Sequence, residues 1–264
     1  MIVAGAVAGG LGSTVGLGGG VFLVPFLNVV LGFPINVASG VGLMTVIATS
    51  SVIARSTMPG TMNLRLGMVL QIAAAAGGYF GGSLAQRIPE HALQLVFSGV
   101  TGAIAAIMLS RLERRNVILD QSVDPGPFGG RYHEEESGQE IVYRTRRLPV
   151  ALAISLVAGS ISGLLGLGGG ILQVPALNAW CGVPLRAAAA TSAIMIGITA
   201  SASAPLYWVR GDVVPPLAAA AVLGTFLGSR TGVWFGERAP AKWLKVILAS
   251  VLATVSVMYL IKVL

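Results

Sequence analysis

Long apolar stretches separated by short polar segments dominate the chain. Six of them run without interruption, at 37–54, 66–86, 92–110, 186–206, 213–231 and 242–262. A helix of roughly 17–25 apolar residues can span a bilayer, so each stretch predicts a spanning helix. A β-barrel is not expected, because these stretches are continuously apolar rather than alternating. Two further apolar runs, 1–31 and 148–181, are interrupted by glycines.

The two interrupted runs carry the same motif. Residues 16–28 read GLGGGVFLVPFLN and residues 166–178 read GLGGGILQVPALN, an offset of 150 residues. The register continues, since Gly-Phe-Pro at 32–34 matches Gly-Val-Pro at 182–184. Each copy is followed by three predicted spans. The sequence therefore predicts two repeats of four elements, each a glycine-broken helix plus three spanning helices.

Composition supports an all-α integral membrane protein. Hydrophobic residues make up 55% of the chain and charged residues only 10%, against about 25% charged residues in soluble domains. The basic residues behind the net charge of +7 lie at the ends of the predicted spans. This placement favours a role as topology signals and contacts to anionic lipid headgroups over nucleic-acid binding. The N-terminus lacks the basic region of a signal peptide. Cys181 is the only cysteine, which excludes an internal disulfide.

One polar segment, 111–147, separates an N-terminal membrane repeat (1–110) from a C-terminal one (148–264). We expect a flexible, solvated linker, and a regulatory or partner-binding role stays open. Besides Glu134, Glu135 and Glu136, its charges include seven arginines: Arg111, Arg114, Arg115, Arg131, Arg144, Arg146 and Arg147. Because cytoplasmic loops are rich in Lys and Arg, we expect the linker to be cytoplasmic.

The course of the broken runs decides the topology. If each is an ordinary span, the repeats point the same way. If each is a re-entrant hairpin, the repeats are inverted, and 14 of the 17 Lys and Arg residues then fall on the cytoplasmic side. The positive-inside rule favours the inverted arrangement. Only about 15 residues precede Gly16, and at 1.5 Å each they fall short of the ~30 Å hydrocarbon core.

The glycine motif is suited to hold an anion. Three successive glycines favour a tight turn between half-helices, and broken backbone survives in a membrane only when it is buried or lines a wet cavity. A half-helix N-terminus then presents free N–H groups and about half a positive charge. The rival interpretation is that the glycines are close-packing faces of unbroken, kinked helices. Asn28 and Asn178 either bond across the repeat interface or lie where the arms return to headgroup depth.

The candidate substrate-binding residues are the turn glycines with nearby hydroxyl and amide groups. Single Ser and Thr side chains more often bond within their own helix. Gln173 stands where the first repeat has Leu23, so binding need not be symmetric. Arg55 at a span end either attracts anions or extends to headgroups. The full set is Ser13, Thr14, Gly18, Gly19, Gly20, Val21, Thr45, Ser50, Ser160, Ser162, Gly168, Gly169, Gly170, Ile171, Gln173, Thr191 and Ser192, with Ser51 and Ser201 as further donors.

The paired G-L-G-G-G-x-x-x-x-P motifs, the two-by-four layout and the polar linker resemble the TauE/SafE family of sulfite exporters. The resemblance covers nearly the whole chain. It implies a multi-pass protein of the bacterial plasma membrane that moves sulfur-containing anions, such as sulfite or organosulfonates, or other organic anions. No motif here separates one such anion from another.

All ten acidic residues lie in or beside predicted loops, so no intramembrane carboxylate is available as a proton carrier. Expulsion of an anion needs none, because a potential of ~100 mV, inside negative, favours it by about 2.3 kcal/mol per charge. We therefore expect a potential-assisted anion exporter with no cofactor or metal. Its partners are a small anion and the lipid bilayer, without nucleic acid, and a homo-oligomer is compatible with the sequence.

Alternatives remain in other classes. An importer of organosulfur or carboxylate anions would use the same fold. A non-transporting scaffold would not need broken helices. An enzyme is disfavoured because no Ser/His/Asp set and no metal-spaced cluster is present, and a cation channel because no acidic ring is present.

Overall fold

Helices account for most of the chain in the computed structural model, which describes residues 1–56, 61–110, 124–134, 139–238 and 241–263. The helices of the first half are α1 Ile2–Val15, α2 Gly20–Pro25 with a π-helical turn Phe26–Val30, α3 Ile35–Ser56, α4 Leu64–Leu84 with a 3₁₀ turn Ala85–Arg87, and α5 Glu90–Ser110. Those of the second half are α6 Leu148–Leu165, α7 Gly170–Trp180, α8 Leu185–Val209, α9 Pro215–Arg238 and α10 Ala241–Val263.

The predicted spans correspond to these helices. Each of the six uninterrupted stretches lies mostly or wholly within one helix, from α3, α4 and α5 to α8, α9 and α10. Among the described residues, five helices are long and apolar enough to cross a membrane: α3, α4, α5, α6 and α8. An all-α membrane protein is therefore confirmed, with a short β-hairpin as its one addition among the described residues.

Each half begins with a broken run, and the break falls at the glycines. Helix α1 stops at Val15 and α2 starts at Gly20, and likewise α6 stops at Leu165 and α7 starts at Gly170. Helix α1 has 14 residues, about 21 Å at 1.5 Å per residue, which is too short to cross ~30 Å of hydrocarbon. The interpretation of these runs as unbroken close-packing helices is wrong.

Helices of one half pack against helices of the other. The first helix of each half contacts the second spanning helix of its partner half, so α1 packs on α9 and α6 packs on α4. The corresponding pairs α3·α8 and α5·α10 meet each other. Exchanging the halves therefore maps these packing contacts onto one another.

Glycines allow the closest of these approaches. Gly77 and Gly81 lie against α6, as Gly224 and Gly228 lie against α1. The neighbouring Gly78 and Gly82, which match Gly224 and Gly228 in the sequence pattern, also contact α6 but turn their Cβ positions toward α8. Both halves therefore use glycines for close helix packing, with the structural correspondence shifted by one residue from the sequence pattern.

The linker is more ordered than expected over its described part. Strands β1 Gly130–Glu134 and β2 Gln139–Tyr143 form an antiparallel hairpin with Gly130 opposite Tyr143. Tyr132, Ile141 and Tyr143 are buried in the main apolar core, so apolar side chains hold the hairpin on the helices. Arg111, Arg114, Arg115, Glu135 and Glu136 lie outside the described residues.

Candidate functional site: the paired glycine turns

The backbone begins both breaks in the same way. Gly16 ends α1 in the left-handed region, with φ 70° and ψ 27°, and Gly166 ends α6 with φ 72° and ψ 22°. Gly18 and Gly168 both have φ 82°. These positive φ values favour glycine, because an L side chain there costs roughly 1–2 kcal/mol. Residues 16–20 and 166–170 are called the first turn and the second turn below.

The two turns are in contact, although 150 residues separate them in sequence. A Cβ placed on Gly20 would lie 2.7 Å from the Gly166 carbonyl oxygen, and one on Gly170 would lie 3.0 Å from the Gly16 carbonyl oxygen. Every glycine of both turns is buried. The two glycine motifs therefore lie side by side in the structure.

Two corresponding apolar side chains fill the space beside the turns. Val46 of α3 and Ile196 of α8 each lie 3.2 Å from the Cβ position of Gly18. Val46 also contacts Gly168, and Ile196 lies 3.0 Å from the Cβ position of Gly170. Apolar side chains therefore pack directly against both turns in this structure.

The turns differ where the second arm starts. Gly19 has φ −67°, whereas Gly169 has φ 76°. The Gly19 N–H donates to Thr49 Oγ1 at 3.3 Å. The corresponding hydroxyl of Thr199 lies 3.2 Å from the Gln71 side-chain amide instead, and no side chain among the described residues accepts from the Gly169 N–H.

Four buried polar side chains cluster around the second turn. Ser39 of α3 contacts Gly166, and Ser162 Oγ lies 3.7 Å from the Cβ position of Gly169. On α7 and α8, Ser192 Oγ donates to Gln173 Oε1 at 3.2 Å. All four are at most 1% exposed. The Ser39 and Ser162 hydroxyls and Gln173 Nε2 have no hydrogen-bond partner in the described part of the chain.

These unpartnered groups are unusual, because buried polar side chains almost always find a partner and an unmade bond costs about 1–3 kcal/mol. They adjoin the N-terminus of the 11-residue helix α7, which carries a partial positive charge. Hydroxyl and amide hydrogens beside a helix N-terminus can together bind the oxygens of an anion.

Ser162, Gln173 and Ser192 thus lie at the second turn with Gly168, Gly169, Gly170 and Ile171. The remaining predicted hydroxyls lie elsewhere. Ser13 donates to the Ser229 carbonyl across the α1–α9 interface, and Ser50 donates to the Ala193 carbonyl of α8 at 2.6 Å. Thr191 accepts from the Asn63 N–H at the start of α4.

A second group bonds within its own helix, as hydroxyls in apolar helices commonly do. Each donates to a carbonyl three or four residues earlier, so its hydrogen is already used. The members are Thr14, Thr45, Ser51, Ser160 and Ser201. Gly18, Gly19, Gly20 and Val21 form the first turn and its arm, and Arg55 is exposed near the end of α3.

Two residues beside the turns, Thr49 and Ser39, are not among the predicted site residues. Thr49 could have been found, because it follows Thr45 by four residues and lies on the same face of α3. Ser39 offers no such signal, since its contact with Gly166 joins residues from different halves.

The conserved spacing of Asn28 and Asn178 has a local cause. Asn28 Nδ2 donates to the Phe33 carbonyl at 2.8 Å, and Asn178 Nδ2 donates to the Val183 carbonyl at 3.0 Å. Each asparagine therefore holds the loop that follows its own arm. The bond common to both asparagines places them where the arms return. Asn28 also bonds across the repeat interface, because its carbonyl and Oδ1 accept from Lys262 Nζ of α10 at 2.6 and 3.0 Å.

A multi-pass helical protein with two broken helices meeting at buried polar groups has the architecture of a membrane transporter. Residues 1–259 match the family described as Sulfite exporter TauE/SafE. The chain belongs to this family, as the motifs predicted.

Several relatives share nearly the full length. The chain is 27% identical to the probable membrane transporter protein YunE of Bacillus subtilis, over 96% of this chain and 93% of that protein. It is 24% identical to the probable membrane transporter protein MJ0441 of Methanocaldococcus jannaschii, over 99% of this chain and 94% of that protein. No solved structure matches it.

Proposed function

We propose that this protein exports small sulfur-containing anions, sulfite or an organosulfonate, through a site at the meeting point of the two turns. The observation that carries the proposal is the set of unpartnered buried donors beside the α7 N-terminus, Ser162 Oγ and Gln173 Nε2 foremost. Such donors stabilise a bound anion by hydrogen bonds, without a lysine or arginine in the membrane. The family's description as sulfite exporters supports the substrate class.

We further propose that the two repeats are inverted. Helices α3 and α8 run antiparallel, because Gly40 near the start of α3 meets Asp212 just beyond α8. Helices α5 and α10 are also antiparallel, since Gly102 and Phe97 meet Ser256 and Tyr259 in that order. Antiparallel counterparts are what a two-fold axis in the membrane plane produces.

The same contacts favour a re-entrant first arm. Ile2 meets Gly224 of α9, and Asp212 and Val213, just before α9, meet Gly40 of α3. The starts of α1 and α3 therefore lie at one end of the bundle, as they do if α1 and α2 enter and leave on the same side. In this arrangement the linker faces the cytoplasm of a bacterium, and the protein lies in its plasma membrane.

Export is proposed to draw on the anion gradient and the membrane potential, since no acidic residue lies in the interior of a predicted span. The test is reconstitution into liposomes with sulfite inside and a potassium diffusion potential. Efflux should accelerate when the interior is made negative, with protein-free liposomes as the control. Transport that requires a proton or sodium gradient and ignores voltage would overturn this direction and coupling.

The competing functions separate in the same preparation. A carboxylate or organosulfur importer would accumulate its anion inward and would be stabilised against heat by carboxylates rather than sulfite. A bound ligand at 100 times its dissociation constant adds about 2.7 kcal/mol of stability. A scaffold would be stabilised by no anion at all.

Topology is testable by cysteine labelling, because the native cysteine is silent. Cys181 is fully buried, and burial raises the pKa of its thiol, so it reacts slowly. In intact cells, an impermeant maleimide should label Ile2→Cys and Leu31→Cys, while Leu64→Cys should react only after lysis. Labelling of Ile2→Cys and Leu31→Cys from opposite sides would refute the re-entrant arm.

A further inference from the structure

We infer that the anion binds to the second turn alone and that the first turn is a structural counterpart held closed by Thr49. This inference rests on the proposed function and specifies which half of the site performs it. The duplicated motif by itself predicts two equivalent anion-binding ends. The side chains around the two turns make these two ends different instead.

The four polar side chains of the second-turn cluster have no polar counterpart in the other half. Each polar residue of the second-turn cluster has an apolar residue or glycine at the corresponding position 150 residues away. Ser39 and Ala189 are one such pair, and the others are Ser162 and Gly12, Gln173 and Leu23, and Ser192 and Gly42. A ligand at the first turn would therefore meet no side-chain donor from these four positions.

One backbone donor of the first turn is also bonded within the protein. The Gly19 N–H, which would otherwise face a ligand, donates to Thr49 Oγ1 at 3.3 Å. Thr49 is fully buried and its own hydrogen goes to the Thr45 carbonyl at 2.8 Å. This chain of two bonds satisfies the Gly19 N–H without a ligand.

The second turn lacks that closure. Thr199, the counterpart of Thr49, donates to the Met195 carbonyl and lies against Gln71 rather than reaching Gly169. Gly169 adopts φ 76° in place of the −67° of Gly19, so its N–H points differently. Gln173 is held by Ser192, which donates to Oε1 and leaves Nε2 as the donor for a ligand.

The arrangement assigns roles to individual residues. Gln173 Nε2 and the Ser162 and Ser39 hydroxyls bind the anion's oxygens together with the α7 N-terminus, and Ser192 positions the Gln173 amide. One anion binds per chain. Gly19 and Thr49 carry no ligand contact.

The test compares anion affinity in matched variants of the full-length protein purified in detergent, using sulfite and methanesulfonate as probes. Gln173→Leu reproduces the first-half residue and should weaken binding at least tenfold. Gln173→Glu keeps the shape but places a carboxylate beside the anion and should abolish binding. Thr49→Val, which removes only the closure of the first turn, should change affinity less than threefold.

Melting temperatures without anion separate misfolding from lost binding, and Gln173→Asn, which keeps a shorter amide, should recover part of the affinity. Equal losses in Thr49→Val and Gln173→Leu, or two anions bound per chain, would overturn the inference while leaving the anion transporter intact. Failure of the unmodified protein to bind either probe would overturn the proposed function itself.

Discussion

The two glycine turns share their backbone and differ in their surroundings. Gly16 and Gly166, and likewise Gly18 and Gly168, have φ values within 2° of each other. The next glycines differ by more than 140°, since Gly19 has φ −67° and Gly169 has φ 76°. The shared part is the stop of one helix, and the divergent part is the start of the next. The two copies of the motif thus share the residues that break the helix and differ in the groups around the start of the next one.

Substitutions at the shared helix ends should have the largest effect on stability. Gly16→Ala and Gly166→Ala should each destabilise the protein by about 2–5 kcal/mol, combining a left-handed backbone with overpacking. A Cβ on Gly16 would lie 2.6 Å from the Ala189 carbonyl oxygen, and one on Gly166 would meet the backbone of Ser39. Melting temperatures in detergent, without anion, measure both losses.

Gly99→Ala is the matched control, because no atom lies within 4 Å of its Cβ position. It should melt close to the unmodified protein. If only one of Gly16→Ala and Gly166→Ala lowers the melting temperature, the two helix ends are not equivalent, and the shared backbone of the two turns does not have the same structural role.

Substitutions at the glycines where the two turns differ should have an intermediate effect on stability. Gly169→Ala should cost roughly 1–2 kcal/mol because of its positive φ, although the nearest atom to its Cβ position is 3.4 Å away. Gly19→Ala has the same 3.4 Å clearance with an ordinary φ, and should cost much less. The same melting assay compares them, and equal costs would show that the two turns share one conformation.

Much of this architecture could be predicted from the sequence. The spans follow from runs of apolar residues, and the breaks follow from three adjacent glycines, because both are local signals. Which hydroxyls reach the turns is not local: Ser13 bonds across to Ser229 of α9, and Ser39 reaches a turn of the other half. The linker hairpin was hidden because Tyr132 and Tyr143 are isolated apolar residues in a charged segment, and only docking on the helices buries them.

The smallest expected effect on stability comes from the loops after α3 and α8. Asp212 follows α8, where the first half has Met62, and partial burial raises its pKa above the usual 3.8 while nearby Arg210 opposes the shift. Because folding raises this pKa, the folded protein binds the proton more tightly than the unfolded chain. Stability should therefore be highest below pH 3.8 with respect to this group, and fall as the pH rises through the raised pKa.

Asp212→Asn should remove that component of the pH dependence, so that its melting temperature falls less than that of the unmodified protein between the mildly acidic range and neutral pH. The effect should be small, because the side chain is only partly buried and solvent screens it. Asp124→Asn in the exposed linker is the matched control for the removal of one negative charge. A steeper fall in Asp212→Asn would mean that attraction to Arg210, rather than burial, governs the carboxylate, and that this loop stabilises the second half electrostatically where Met62 cannot stabilise the first.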